Sequence, residues 1–252
     1  MLAALEAGYR HIDTAAAYQN EADVGRAVRA FGIPREEVFI TSKLWLQDYG
    51  YLPAQKAIDT ALRTLGLDYI DLYLLHQPYL DIRGAWKAME EASQRGDLRS
   101  LGISNFTPRY LEEFLPGLNQ LPVVNQVECN PFWQQRPLRK RMAELGMVME
   151  SWFPLAHGGR DLLEHPVLAE IAQAHSRSVA QVILRWHCQE GLIPLPKTTN
   201  PRHLRENLDL DSFTLSPEEM GRIQALDTGK GYRNPEDPGI AEHLLAKYRI
   251  HP

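Results

Sequence analysis

The strongest constraint on this chain is a repeated alternation. Short runs rich in apolar and β-branched residues recur between amphipathic stretches: "RHIDTA" at 10–15, "VFITSKLW" at 38–45, "YIDLYLLHQP" at 69–78 and "LRSLGISNF" at 98–106. "VVNQVECNP" at 123–131, "MVMESWFPL" at 147–155 and "GLIPLPKT" at 191–198 continue the series. Several are apolar on consecutive positions, the pattern of strands covered on both faces. A helix is expected from Pro53 to Gly66, where Ala57, Ala61, Leu62 and Leu65 fall at helical spacing and Gly66 supplies the stop. Strands alternating with helices argue for a parallel sheet with helical crossovers. Polar residues gather at the C-terminal ends of the strands, which favours a (β/α)8 TIM barrel over an open sheet. The 252 residues suit one such domain, spanning 1–252.

Seven runs leave one strand short. "MLAALEAGY" reads as the last turns of a helix entering "RHIDTA", so the expectation is a barrel lacking its first strand at the N-terminus. A unit of this fold takes about 30 residues. An incomplete barrel exposes strand edges, so the chain is expected to be a monomer or a dimer that covers the open edge. The tail from Gly229 is rich in Gly, Pro and charge and reads as a surface loop and a short helix over one barrel mouth.

Charge and cysteine content narrow the partners. Lys and Arg number 27 against 32 Asp and Glu, a formal net charge of -5 with no long block of either sign, so nucleic acid is not expected as a partner. Cys129 and Cys188 lie far apart without a metal-ligand neighbourhood, which argues against disulfides and zinc and suits a reducing cytoplasm. No apolar run approaches the roughly 20 residues of a membrane span, and the start lacks the order of a signal peptide.

The strand-end residues carry the chemistry. Singly, Asp13 has an ordinary reading as a turn residue, Tyr18 as a surface aromatic, Lys43 as a solvated cation and His76 as a core histidine. Together they differ, because Asp13, Lys43 and His76 each end a separate expected strand and Tyr18 sits on the loop after the first. Barrel active sites are built at that face. An ammonium beside a phenol lowers its pKa, and a carboxylate paired with the ammonium holds it charged and aimed. A histidine that donates to a carbonyl oxygen orients the substrate and stabilises a developing alkoxide. The set suits carbonyl reduction.

"GYRHIDTAAAYQNEADVGRAV", "TSKLW", "DLYLLHQP", "GISNF", "NQVECNP" and "IPLPKTTNPRHLRENL" resemble the successive signature segments of the aldo-keto reductase superfamily. Within it, the chain is similar to bacterial 2,5-diketo-D-gluconate reductases. The resemblance spans essentially the whole chain and implies an NADPH-dependent reductase with Asp13, Tyr18, Lys43 and His76 as the catalytic tetrad, Tyr18 being the general acid. It implies that Trp152 stacks on the nicotinamide and that Ser104, Asn105 and Gln126 bind its carboxamide, with Leu155 also a cofactor residue. Lys197 and Thr198 match the grip on the adenosine 2'-phosphate, and Glu206 and Asn207 the contacts to adenine. The alanines of "DTAAAYQN" would leave room for the nicotinamide. Trp45 resembles an aromatic wall of the substrate pocket, although packing on a neighbouring loop explains a strand-end aromatic as well. Small aldehydes, α-ketoaldehydes and keto-sugars are the expected substrates.

Two positions depart from that pattern. His203 stands where the family keeps an arginine against the 2'-phosphate, and an imidazole is neither reliably charged nor bidentate; Arg202 is the neighbouring cation. Phe153 replaces a serine common beside the stacked aromatic. No metal is implied, and a metal-dependent barrel hydrolase would need an H-x-H or similar ligand cluster that no strand end supplies. The competing reading is a truncated barrel that binds cofactor but is catalytically weak, an auxiliary or remnant protein.

Overall fold

The computed structural model describes residues 1–251. All seven expected runs form strands: β1 (His11–Asp13), β2 (Phe39–Leu44), β3 (Ile70–Leu75), β4 (Leu98–Ser104), β5 (Val124–Glu128), β6 (Val148–Trp152) and β7 (Ile193–Pro194). They follow one another in the sheet in chain order, from β1 to β7. Helices fill the intervals between them. The alternation in the sequence is therefore the alternation in the fold. An eighth strand is not among the described residues.

Internal contacts divide the chain into two compact units, Met1–Asn125 together with the chain from Pro235, and Gln126–Asn234. In the first unit, β1 pairs with β2, β2 with β3 and β3 with β4, all parallel. Every residue of β3 is buried, including Asp71, whose carboxylate accepts from Arg35 and from Ile40 N. Leu72, Leu74 and Val124 form one cluster of this core. Gly102 on β4 lies within it: a Cβ there would stand 2.5 Å from Leu74 Cδ2 and 3.0 Å from the Val124 carbonyl oxygen. Gly25 is tighter still. It brings the Glu21–Phe31 helix onto the Tyr51–Leu65 helix, and a Cβ would meet the Leu65 carbonyl oxygen at 1.8 Å.

The Tyr51–Leu65 helix begins two residues before the expected Pro53, with Gly50 (φ 105°) ahead of it. Proline is tolerated in a first turn because those N–H groups lack intrahelical acceptors anyway. Of the expected apolar positions Ala61 and Leu65 are buried, joined by Ala54 and Ile58, whereas Ala57 and Leu62 at the edge of the stripe are only partly covered. Gly66 closes the helix as expected, left-handed and donating to the Leu62 and Arg63 carbonyls.

In the second unit β6 pairs with β7 in parallel, Glu150 opposite Ile193 and Ser151 opposite Pro194. The Val179–Gln189 helix opens on a reciprocal cap between Ser178 and Gln181 and buries Val182, Ile183, Leu184, Trp186 and His187. The expected tail helix is present at Ile240–Lys247. No helix of the described residues is long and apolar enough to cross a membrane.

Candidate active site

In the first unit, Asp13 is the last residue of β1 and Lys43 the penultimate residue of β2. Strand pairing sets Asp13 opposite Thr41, two residues before Lys43. Residues two apart on a strand share a face, and the lysine reaches across. Its Nζ lies 2.5 Å from Asp13 Oδ1 and donates to the Thr14 carbonyl oxygen at 2.9 Å. The Lys43 side chain is wholly buried, whereas that of Asp13 keeps 16% of its surface exposed. A buried ammonium needs such partners to stay charged.

Tyr18 closes a short 3-10 turn at Ala16–Tyr18. The turn is stapled by Thr14, whose hydroxyl donates to Asn20 Oδ1 at 2.6 Å, and Gln19 takes a left-handed conformation at its end. Ala15 is completely buried and packs the base of the turn. The staple holds the Tyr18 ring against Lys43, with Nζ 5.0 Å from the ring centroid. Half of the tyrosine is exposed, with the Lys43 ammonium over its ring. Burial of the hydroxyl raises its pKa above the ordinary phenol value, and this outweighs the opposing pull of Lys43. The ammonium thus acts in the expected direction without setting the net shift: the phenol is protonated at neutral pH.

His76 follows β3 directly. Its N–H donates to the Leu44 carbonyl at 3.2 Å, and its own carbonyl accepts from Asn105 Nδ2 at 3.0 Å. The imidazole stands edge-on to Tyr18 and to Trp45, with centroids 5.8 and 5.0 Å apart. Burial, with Lys43 adding to it, drives its pKa well below the usual histidine value, so the ring is neutral. Its buried Nδ1 has no hydrogen-bond partner among the described residues. The backbone behind it is clamped, since Tyr49 Oη accepts from Gln77 N and donates to Gln77 O, both at 2.9 Å. Ser104 ends β4, and Asn105 is held left-handed (φ 66°) with its amide nitrogen also 3.1 Å from Ser104 Oγ.

Trp45 is only 2% exposed. Its Nε1 donates to the Tyr248 carbonyl at 2.8 Å and its ring meets that of Tyr248 edge-on at 6.0 Å, so one side of it packs on the tail. The tail is fastened nearby. Gln47 accepts from Ile250 N at 2.6 Å and donates to His251 O at 3.0 Å, Asp48 meets His251 at 2.9 Å, and Gln19 donates to Arg249 O at 3.1 Å. These anchors were not expected from the sequence, although a polar Gln-Asp pair straight after an apolar strand end is their signal.

In the second unit, Gln126 lies in β5 and Trp152 ends β6. Gln126 is buried and donates through Nε2 to Oε2 of Glu150, a buried carboxylate that sequence reasoning passed over, at 2.8 Å. Trp152 is partly exposed and edge-on to Phe153 at 5.7 Å. Phe153, Ala156 and His157 all have left-handed backbones, which coil the segment that carries the partly exposed Leu155. The Tyr232 ring lies 5.2 Å from that of Phe153, and its N–H donates to both oxygens of buried Glu128, at 2.8 and 2.9 Å.

Lys197 is exposed, and Thr198 Oγ1 accepts from Asn200 N at 3.1 Å just ahead of the Pro201–Glu206 helix. His203 is partly exposed with Nε2 3.4 Å from an Arg202 nitrogen, and Arg202 also pairs with Glu206 at 3.5 Å. Asn207 follows, buried. Among the described residues, no group of three His, Cys, Asp or Glu side chains is placed to hold a metal ion.

The sequence pattern of the Aldo/keto reductase family matches residues 1–228. The chain is 45% identical over 226 residues to the glyoxal reductase of Bacillus subtilis, covering 89% of this chain and 81% of that one. A solved structure described as a putative 2,5-diketo-D-gluconic acid reductase B aligns with a TM-score of 0.88 at 36% identity, covering 92% of this chain and 84% of that one. A Bombyx mori aldo-keto reductase solved in complex with NADP aligns at 0.87 with 34% identity, over 100% of this chain and 87% of that one. With the family pattern running through nearly the whole sequence, the chain belongs to the aldo/keto reductase family and is an oxidoreductase.

Proposed function

We propose that this protein reduces the carbonyl group of a small aldehyde, α-ketoaldehyde or keto-sugar with NADPH, and that Tyr18 delivers the proton. The observation that carries the reading is the buried Lys43–Asp13 pair set against the phenol of a half-exposed tyrosine, with a neutral histidine beside it. When bound, NADPH supplies the hydride received by the carbonyl carbon. Tyr18 is a phenol held protonated, and it gives that proton to the carbonyl oxygen as negative charge develops there. Lys43 stabilises the phenolate left behind, and Asp13 holds the ammonium in place.

The state of His76 follows from its surroundings. A neutral imidazole carries one N–H, and a proton on the partnerless, buried Nδ1 would leave a donor unsatisfied. The proton therefore belongs on Nε2, as the donor offered to the substrate oxygen.

The donor set suits a phosphorylated dinucleotide. Trp152 offers a partly exposed indole for the nicotinamide, and Lys197 and Arg202 supply exposed cations around Thr198 and His203 for the 2'-phosphate. Ser104, Asn105 and Gln126 are the amide and hydroxyl groups proposed for the carboxamide, Leu155 is a further cofactor residue, and Glu206 and Asn207 serve the adenine. Trp45 backs His76 on the substrate side. The glyoxal reductase and diketo-gluconic acid reductase relatives point to dicarbonyl compounds.

Stopped-flow tryptophan fluorescence on mixing with NADPH, followed by turnover of methylglyoxal, tests the proposal. Quenching with turnover is expected. Quenching without turnover of any aldehyde or keto-sugar identifies a catalytically weak nucleotide-binding protein, and no response to the nucleotide overturns the reading altogether.

A further inference from the structure

Glu150 is a carboxylate that the reaction, as described, does not use. It is buried, and so is Gln126. A buried carboxylate is costly unless it is hydrogen-bonded, and the Gln126 amide meets it at 2.8 Å through Nε2. Glu150 lies two residues before Trp152 on β6, so their side chains leave the strand on the same face. Gln126 comes to that face from β5, which lies next to β6 in the strand order.

The chemistry of the pair fixes a direction. A primary amide has a donating end and an accepting end, and the donating nitrogen is the end that meets Glu150. The Gln126 carbonyl oxygen, Oε1, is then the end of the amide that Glu150 does not hold. A nicotinamide carboxamide likewise has an accepting carbonyl and a donating NH2. Only a glutamine held by its own nitrogen meets that NH2 with an acceptor; if flipped, it would oppose one donor to another.

We propose that Glu150 is a positioning residue for cofactor recognition: by holding Gln126 Nε2 it presents Gln126 Oε1 to the carboxamide NH2 of the bound nicotinamide. The inference rests on the proposed role of Gln126 and names the group that sets its polarity. It makes discrimination between a carboxamide and an acetyl group a property of Glu150, a residue that does not itself touch the nucleotide.

The test compares equilibrium binding, by tryptophan quenching, of NADPH and of its reduced 3-acetylpyridine analogue, in which a methyl group replaces the NH2. The wild-type protein is expected to bind NADPH about fivefold to tenfold more tightly than the analogue, the value of one good hydrogen bond. In Glu150→Gln the partner can donate or accept, either amide orientation is available, and the preference is expected to fall to about twofold or less. Glu150→Thr, smaller and uncharged, should behave likewise and serves if the glutamine variant does not fold. Glu150→Asp keeps a carboxyl partner and should retain part of the preference. A lowered melting temperature with the preference intact in the Gln and Thr variants is what a purely structural carboxylate predicts, and it overturns the inference. Equal binding of both nucleotides by the wild type overturns it without any variant, while failure of the wild type to bind either one removes the underlying reading of the site.

Discussion

Replacing Lys43 by methionine separates what its charge does for the fold from what it does for Tyr18. The ammonium is fully buried, 2.5 Å from Asp13 Oδ1 and 2.9 Å from the Thr14 carbonyl oxygen. Methionine fills much the same volume but leaves the Asp13 carboxylate without its counter-ion. Breaking a buried pair from one side costs about 3–5 kcal/mol, and the 16% exposure of the Asp13 side chain places this case near the lower bound. At about 2–4 °C per kcal/mol for a chain of this size, a loss of about 3 kcal/mol lowers Tm by about 6–12 °C. The companion variant is Asp13→Asn with Lys43→Met, which removes both charges. Replacing a whole buried pair is often near neutral, so most of the lost Tm should return. Activity should not return, because neither variant has a cation to stabilise the Tyr18 phenolate, and a general acid contributes about 10²- to 10⁴-fold. Calorimetry and steady-state reduction of methylglyoxal with NADPH supply the two readouts. A double variant that recovers turnover along with stability would refute the argument and make Lys43 a packing residue.

Three further outcomes follow from the same geometry. Reduction needs His76 neutral and Tyr18 protonated; the first is lost only as pH falls below the usual histidine value of about 6.5, and the second only as pH rises above the usual phenol value of about 10. The pH profile of kcat/KM for reduction should therefore be flat across that whole interval, and a limb centred near pH 7 would contradict the assignment. Stability has its own acid limb. Burial lowers His187 to about 4, so between about pH 6.5 and 4 the unfolded chain binds a proton that the folded one refuses. Stability present at neutral pH should fall by about 3 kcal/mol over that window, and denaturant titrations of His187→Gln should show a smaller fall. His203→Arg should tighten NADPH by about 1 kcal/mol or more relative to NADH; equal effects on both nucleotides would remove residue 203 from the 2'-phosphate site.

Strand placement was legible because it depends on local pattern. Apolar runs such as "LYLL" cannot be solvated, and each became a strand or the core of one. β7 shrank to Ile193–Pro194 because prolines at 194 and 196 remove ladder donors. Asp13, Lys43 and His76 were recognisable for the same reason: a polar residue where such a run stops must face something polar. Pairings set by distant segments were not readable. The Gln-Asp pair in "KLWLQD" signals a polar partner but not that Trp45 and Gln47 bind the backbone of residues 248–251, and nothing in "MVMESW" shows that Glu150 receives Gln126. The sign of the Tyr18 shift was missed because it is a contest between desolvation and Lys43, and the depth of the hydroxyl is a tertiary quantity. Thr14 and Asn20 could have been found, since two hydrogen-bonding side chains bracketing a run of alanines are a turn staple.

The most direct test is a rapid-mixing experiment on Tyr18→Phe, in which NADPH binding is read by tryptophan quenching and reduction of methylglyoxal by loss of nicotinamide absorbance. The account predicts a nucleotide affinity within about twofold of wild type and a reduction rate lower by about 10²-fold or more. A phenylalanine variant that consumes NADPH as fast as the native protein would show that the proton comes from another group.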